Sequence, residues 1–153
     1  MHDLDTLDRK ILRLLQTEPE IGAAAIGEQL AASQATVWRR IQRMRDEGLI
    51  PEQVVKLDRR KAGFRAMVFC QVKLNSQGRS NLAEFARAID ELPEVLDCYV
   101  LVGNVDFLLR IVATDIEAYE KFFFEKLSDL PGVQEITSNI ALSEIKHTTV
   151  LPV

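Results

Sequence analysis

The stretch SQATVWRRIQRMRDEG, residues 33–48, decides how this chain is read. Ser33 is a side chain suited to accept from the free amides at a helix start, and Gly48 suits the left-handed residue that ends one. Nothing between them breaks a helix, so a helix is expected over 34–47. Val37, Ile41 and Met44 recur at steps of four and three and form one apolar stripe. That stripe leaves Gln34, Ala35, Trp38, Arg39, Gln42 and Arg45 pointing largely outward. Arg39, Arg40, Arg43 and Arg45 fall together with no acid among them.

Two shorter helices precede it. Leu4, Leu7, Ile11, Leu14 and Leu15 fit an amphipathic helix over 5–16, closed by Pro19 and Gly22. Ile26 and Leu30, four apart, mark a second over 24–31. Only Ala31, Ala32 and Ser33 then separate it from the arginine-bearing helix. Three helices with so short a second joint describe a helix-turn-helix, and Gly27 and Ala31 are small where the helices must approach closely. On the other side, Pro51 forbids continuation, VVKL (54–57) reads as a short strand, and 61–63 ends it. The expected divisions are a helix-turn-helix domain over 1–50, a connector over 51–65 and a second domain over 66–153.

From residue 66 the hydrophobic period changes from 3.6 to 2 and then repeats. Strands are expected over 67–74, 95–102, 107–113 and 133–142. Helices are expected around Leu82, Phe85, Ala86 and Ile89 and over 116–130. LPEV (92–95) and LPGV (130–133) each follow a helix and open a strand. The order β-α-β-β-α-β is the ferredoxin-like plan, two helices on one face of a four-stranded antiparallel sheet, so the fold class is α+β. Cys70, Tyr99 and Leu101 suggest that the other face is partly apolar, which favours pairing of sheets between subunits. The FFF run at 122–124 exceeds one helix stripe, so one phenylalanine is expected to face a neighbouring subunit.

The net charge of −4 hides an asymmetry. Residues 1–60 balance ten Lys/Arg against ten Asp/Glu, while residues 61–153 hold nine against thirteen, so the acidity belongs to the second half. No apolar run approaches the ~18 residues of a membrane span. The acidic start MHDLDTLDRK has no signal-peptide core, so the expected location is cytoplasmic. Cys70, Cys98, His2 and His147 lack metal-ligand spacing, and no nucleophile-base pair or phosphate loop points to an enzyme or a cofactor.

Several stretches together carry a resemblance. They are LDTLDRKILRLLQ (4–16), SQATVWRRIQRM with DEGLI (33–50), KLDRRKAG (56–63), LPEVLDCYVLVGNVDFLLRI (92–111), AYEKF (118–122), LPGV (130–133) and IKHTTVLP (145–152). In this order and spacing the chain resembles the Lrp/AsnC (leucine-responsive, feast/famine) regulators over essentially its whole length. The resemblance implies a winged helix-turn-helix, a ligand-responsive βαββαβ module (the RAM domain), and control by an amino acid or related metabolite bound between dimers. It also implies homodimers that assemble to tetramers or octamers.

Two candidate sites follow. Ser33, Gln34, Thr36, Trp38 and Arg39 form a face suited to base edges in a major groove of double-stranded DNA. Arg43 and Arg45 suit phosphate; Arg40, beside the buried stripe, is open to two readings, a DNA contact or a residue that holds the fold, and Trp38 either packs on the sugar-phosphate surface or shields the core. The second is the loop Gly103, Asn104, Val105 and Asp106, ordinary two-residue hairpin chemistry by sequence alone. By the resemblance it lines an amino-acid pocket, with backbone amides for a carboxylate, Asp106 for an ammonium, and Thr137 and Ser138 as a second wall. Val105 and Phe107 depart from the aromatic and tyrosine common there, and Ile136 stands where many members have threonine. Two other readings stay open at this point: a DNA-binding regulator with no small-molecule effector, and a small-molecule-binding module without DNA binding.

Overall fold

The structure, a computed structural model, describes residues 4–52, 54–80 and 82–153. The chain forms two compact units, residues 1–55 with 146–153 and residues 56–145.

The first unit is built of α1 (Thr6–Thr17), α2 (Ala23–Leu30) and α3 (Gln34–Asp46). Asp5 caps α1, its Oδ1 accepting from the amides of Leu7 and Asp8 at 2.8 Å each, and the Asp8 carboxylate reaches back to the Asp5 amide at 3.3 Å. This reciprocal cap satisfies donors that a helix start leaves open. Ser33 caps α3 through the Thr36 amide at 3.2 Å, as expected. At its other end Gly48 takes φ 73° and the Leu49 amide returns to the Met44 carbonyl at 2.9 Å. Ile11 and Leu12 of α1, Ile26 of α2 and Val37, Ile41 and Met44 of α3 close one core. Full burial of each large side chain stabilises by roughly 1.5–3 kcal/mol. Gly27 is required at the turn, because a Cβ there would lie 2.6 Å from the Ala32 carbonyl oxygen. Ala31 occupies the left-handed region at φ 52°, where glycine is the easier residue.

The last eight residues, expected with the second domain, belong to this first unit. The Gln16 side-chain amide pairs with the backbone of Leu151, accepting from its amide at 2.7 Å and donating to its carbonyl at 3.2 Å. Arg13 Nε donates to the Val153 carbonyl at 2.5 Å, and Val153 packs on the helical core. The strand expected at VVKL (54–57) is not formed, so no wing accompanies the three helices among the described residues. An extended segment becomes a strand only where a neighbour completes its ladder, and no strand of the sheet pairs with these residues. The connector instead folds at 58–63, where the Asp58 carboxylate accepts from the amides of Arg60 and Lys61.

The second unit runs β1 (Ala66–Leu74), α4 (Ser76–Ser80), α5 (Leu82–Asp90), β2 (Val95–Val100), β3 (Phe107–Ala113), α6 (Ile116–Phe122) and β4 (Val133–Ile140). Its sheet has the order β2-β3-β1-β4, antiparallel throughout, which is the ferredoxin-like arrangement expected. Alternate residues of β1 and β3, from Ala66 to Leu74 and from Phe107 to Ala113, join Phe85, Ile89, Tyr119, Phe122 and Leu127 in the core. Cys70 belongs to that set. It is fully buried against the helices rather than on the open face, which corrects its expected placement.

Two other expectations change. The short α4 was not foreseen; Asn75 Oδ1 caps it by accepting from the Gly78 amide at 2.8 Å, and Gly78 lies against Gly132 so closely that neither has room for a Cβ. The helix expected over 116–130 ends α6 at Phe122 and continues as a π turn, Phe123–Leu127. A π turn lengthens the hydrogen-bond step from four residues to five, here from the Ser128 amide to the Phe123 carbonyl at 2.9 Å. It thereby brings Phe122 and Leu127 to the same core, leaves Phe123 half-buried against Tyr119 and turns Phe124 outward.

Candidate DNA interface and ligand loop

Helix α3 presents the residues singled out for DNA. Ser33, Gln34, Arg39 and Arg45 are exposed, Trp38 is 60% exposed despite being the chain's one tryptophan, and Thr36 is half-buried with its hydroxyl 2.8 Å from that of Ser33. The opposite face of the helix, Val37, Ile41 and Met44, is buried.

The arginines divide into two kinds. Arg40 Nη1 donates to Asp8 Oδ1 at 2.8 Å and to Asp5 Oδ2 at 2.5 Å, so its fold-holding role is realised. Arg43, expected at phosphate, donates from Nη2 to Asp8 Oδ2 at 2.7 Å. Residues three apart on a helix share a face, so Arg40 and Arg43 close on one carboxylate from the same side. Asp8 is 1% exposed and is the one buried charged residue among those described. Burial opposes its ionisation, but hydrogen bonds from Arg40 and Arg43 outweigh that and hold its carboxyl below the ordinary value. Asp5 is held low as well, first by the Asp8 amide and then by Arg40. Among the described residues, the salt bridges include neither Arg39 nor Arg45. The sequence reading missed Asp5 and Asp8. Their signal was the LDTLD start of α1, whose acids fall at cap positions.

The ligand loop differs from its expected form. Six residues, 101–106, separate Val100 from Phe107, and the Leu101 amide meets the Asp106 carbonyl at 2.8 Å, so the turn is longer than a two-residue hairpin. Gly103 and Asn104 are exposed, and Val105 and Asp106 are half-buried. Asp106 is tied to the neighbouring strand: its amide donates to the Val72 carbonyl at 2.9 Å and its Oδ2 accepts from the Leu74 amide at 2.7 Å. It extends the sheet by one residue before the start of β3. Among the described residues, the amides of Gly103, Asn104 and Val105 donate to no backbone carbonyl.

Thr137 and Ser138 fall on opposite faces of the sheet. Thr137 opposes Gln71 on the open face, while Ser138 opposes Cys70 on the helical one. There the Ser138 hydroxyl lies 2.6 Å from that of Tyr119, and Cys70 Sγ lies 3.1 Å from the same Tyr119 oxygen. Burial pushes the Cys70 thiol up, and burial followed by the Cys70 contact raises Tyr119, so neither ionises near neutrality. The open face carries Phe69, Leu108 and Tyr99 beside the Asp97–Arg110 ion pair.

The chain thus joins a three-helix unit with an arginine-bearing face to an α+β unit with an open sheet face. Comparison with known proteins gives the family. The profile of the AsnC-type helix-turn-helix domain matches residues 4–45 and that of the Lrp/AsnC ligand-binding domain matches residues 67–151, and the chain belongs to the Lrp/AsnC family of DNA-binding transcription regulators. It is 31% identical to the DNA-binding transcriptional activator DecR of Escherichia coli, over 98% of this chain and 99% of that one. It is 32% identical to the Bkd operon transcriptional regulator of Pseudomonas aeruginosa, over 95% of each. Among solved structures it resembles an AsnC family transcriptional regulator from Agrobacterium tumefaciens, with TM-score 0.90 and 36% identity over 97% of this chain and 96% of that chain. A transcriptional regulator from Neisseria meningitidis in complex with L-Met also has TM-score 0.90, with 32% identity over 97% and 96%. These relatives are named as regulators, not enzymes. Among the described residues, no helix is long and apolar enough to cross a membrane, and no His/Cys/Asp/Glu group is arranged to hold a metal.

Proposed function

We propose that this regulator reads double-stranded DNA through the outward face of α3 and that an amino acid, bound between subunits, adjusts its assembly. Gln34, Thr36, Trp38 and Arg39 meet base edges and the sugar-phosphate wall, Ser33 fixes the helix start, and Arg45 meets phosphate, while Arg43 is held by Asp8. The observation that carries this is the coexistence of an exposed Trp38, Arg39 and Arg45 on a helix whose other face is fully buried. The protein works as a homodimer, assembling further to a tetramer or octamer, and the exposed Phe69 and Tyr99 of the open sheet face support that reading. Two recognition helices about one duplex turn apart, ~34 Å, favour an imperfect palindrome. As a DNA-binding regulator it is placed in the cytoplasm.

For the effector, the amides of Gly103, Asn104 and Val105 are suited to a carboxylate, and Thr137 offers a hydroxyl on the open face. The related Neisseria meningitidis regulator, solved with L-Met, supports an amino acid as the class. No cofactor is proposed. A second reading, a regulator with no effector, is favoured by Asp106 and Ser138 already serving the protein's own fold. Thermal shift of the full chain against the twenty amino acids, with light scattering on each hit, separates the two. A ligand that binds only the folded form raises the melting temperature. A rise with a change of assembly supports the effector; no rise with any amino acid leaves the second reading.

A further inference from the structure

We propose that Asp8 is the positioning residue that decides which arginines of α3 act on DNA, neutralising Arg40 and Arg43 within the protomer and leaving Arg39 and Arg45 as the working charges. This rests on the reading of α3 as the DNA interface and goes beyond it.

The argument starts from burial. A carboxylate that is 1% exposed is tolerable only with both oxygens satisfied, and here each takes one arginine of the same helix, Oδ1 from Arg40 at 2.8 Å and Oδ2 from Arg43 at 2.7 Å. Asp8 also stands in the first turn of α1, where its charge meets the positive end of the helix. Arg40 closes the set by bridging to Asp5 at 2.5 Å. Two acids and two arginines make a cluster of zero net charge between α1 and α3. Drawing Arg43 out to a phosphate would leave Asp8 half-paired inside the protein, so the cluster persists on DNA. The guanidinium fork suits this task, because its planar donors reach a buried carboxylate while the rest of the group stays at the surface. Arg43 is 46% exposed. Its charge is nonetheless matched from below. Counterion release counts the phosphates that arginine or lysine neutralises, and an arginine already matched by Asp8 neutralises none, so each recognition helix contributes Arg39 and Arg45, not four arginines.

The test is the slope of log K against log salt for the full-length protein on a random-sequence duplex, with each variant's fold checked by its melting curve. Each phosphate contact contributes about 0.9 to that slope. Arg45→Gln lowers it by about 0.9 per recognition helix engaged. Arg43→Gln, which keeps an amide donor for Asp8, leaves it unchanged. Asp8→Asn, which releases Arg43 as a free charge, steepens it by about 0.9 per helix, and adding Arg43→Gln to Asp8→Asn removes that gain. A merely structural role for Asp8 would weaken binding or stability without steepening the slope. If Asp8→Asn does not fold, the contrast between Arg43→Gln and Arg45→Gln decides. Equal losses from those two, or a folded Asp8→Asn with an unaltered slope, overturn the proposal. If neither Arg39→Gln nor Arg45→Gln changes the slope, the α3 interface itself is wrong, which is a different failure.

Discussion

The α3 face and the loop over 101–106 were both singled out as sites, and they use their polar groups in opposite ways. On α3 the side chains offered to DNA point away from the fold: Gln34, Trp38, Arg39 and Arg45 are exposed, and the groups that stabilise the helix are others, Ser33, Asp8 and Arg40. At the loop the functional candidates and the structural ones coincide. Asp106 holds the Leu74 amide, and Ser138 is hydrogen-bonded to Tyr119. The difference teaches that side chains offered to a partner stand clear of the fold on α3, whereas at the loop Asp106 and, across the sheet, Ser138 already serve the protomer's own structure.

Substitutions can break or sharpen that contrast. The largest effect is expected from Gly27→Val, because its Cβ would meet the Ala32 carbonyl at 2.6 Å and force α2 from α3. We expect a loss of about 2–3 kcal/mol in the first unit and loss of DNA binding, read by Trp38 fluorescence in denaturant. If the first unit kept its stability, the tight turn would not be what holds the recognition helix.

Asp106→Ala comes next. It leaves the amide of the buried Leu74 without its acceptor, so the ligand-free protein loses about 1–3 kcal/mol by thermal melting. An unchanged melting point would make Asp106 available for a ligand ammonium and erase the contrast with α3. Smaller still is the pair Ser138→Ala and Thr137→Ala. The first removes the Tyr119 partner and costs about 1 kcal/mol, while the second, on the open face, leaves stability as it was. Equal effects would mean that the two neighbours are not divided between the faces.

The pH response is the mildest test. Asp5 and Asp8 both sit below the ordinary 3.8 in the folded protein, so their ionisation stabilises the first unit above that value. That stabilisation is lost as pH falls below about 3.8, through the folded values. An acid titration followed at Trp38 should show this transition in the parent and a reduced one in Asp8→Asn. The same acid sensitivity in both would remove Asp8 as its source.

Much of this was legible in the sequence because it depends on short-range periodicity. The stripe of Val37, Ile41 and Met44, the caps Ser33 and Gly48, and the small Gly27 specify the first unit locally. Alternation along β1 and β3 specified the sheet. What was not legible depends on pairings distant in sequence. The union of Asp8 with Arg40 and Arg43 spans more than thirty residues, and the Gln16–Leu151 contact spans 135. The π turn after Phe122 shifts a helical register that a fixed 3.6 period cannot represent. The missing strand at VVKL failed for a different reason: its residue types suit a strand, but a strand needs a neighbour, and composition does not supply one.

The most direct test compares wild type with Arg39→Ala by fluorescence anisotropy. The probes are a duplex selected from a random pool by the full-length protein and a scrambled control, with melting curves measured in parallel. Arg39 is exposed and enters none of the salt bridges among the described residues, so the melting temperature should stay while affinity for the selected duplex falls about 10- to 100-fold and the preference over the scrambled duplex narrows. Undiminished affinity and preference in a folded Arg39→Ala protein would contradict the assignment of α3 as the element that reads DNA.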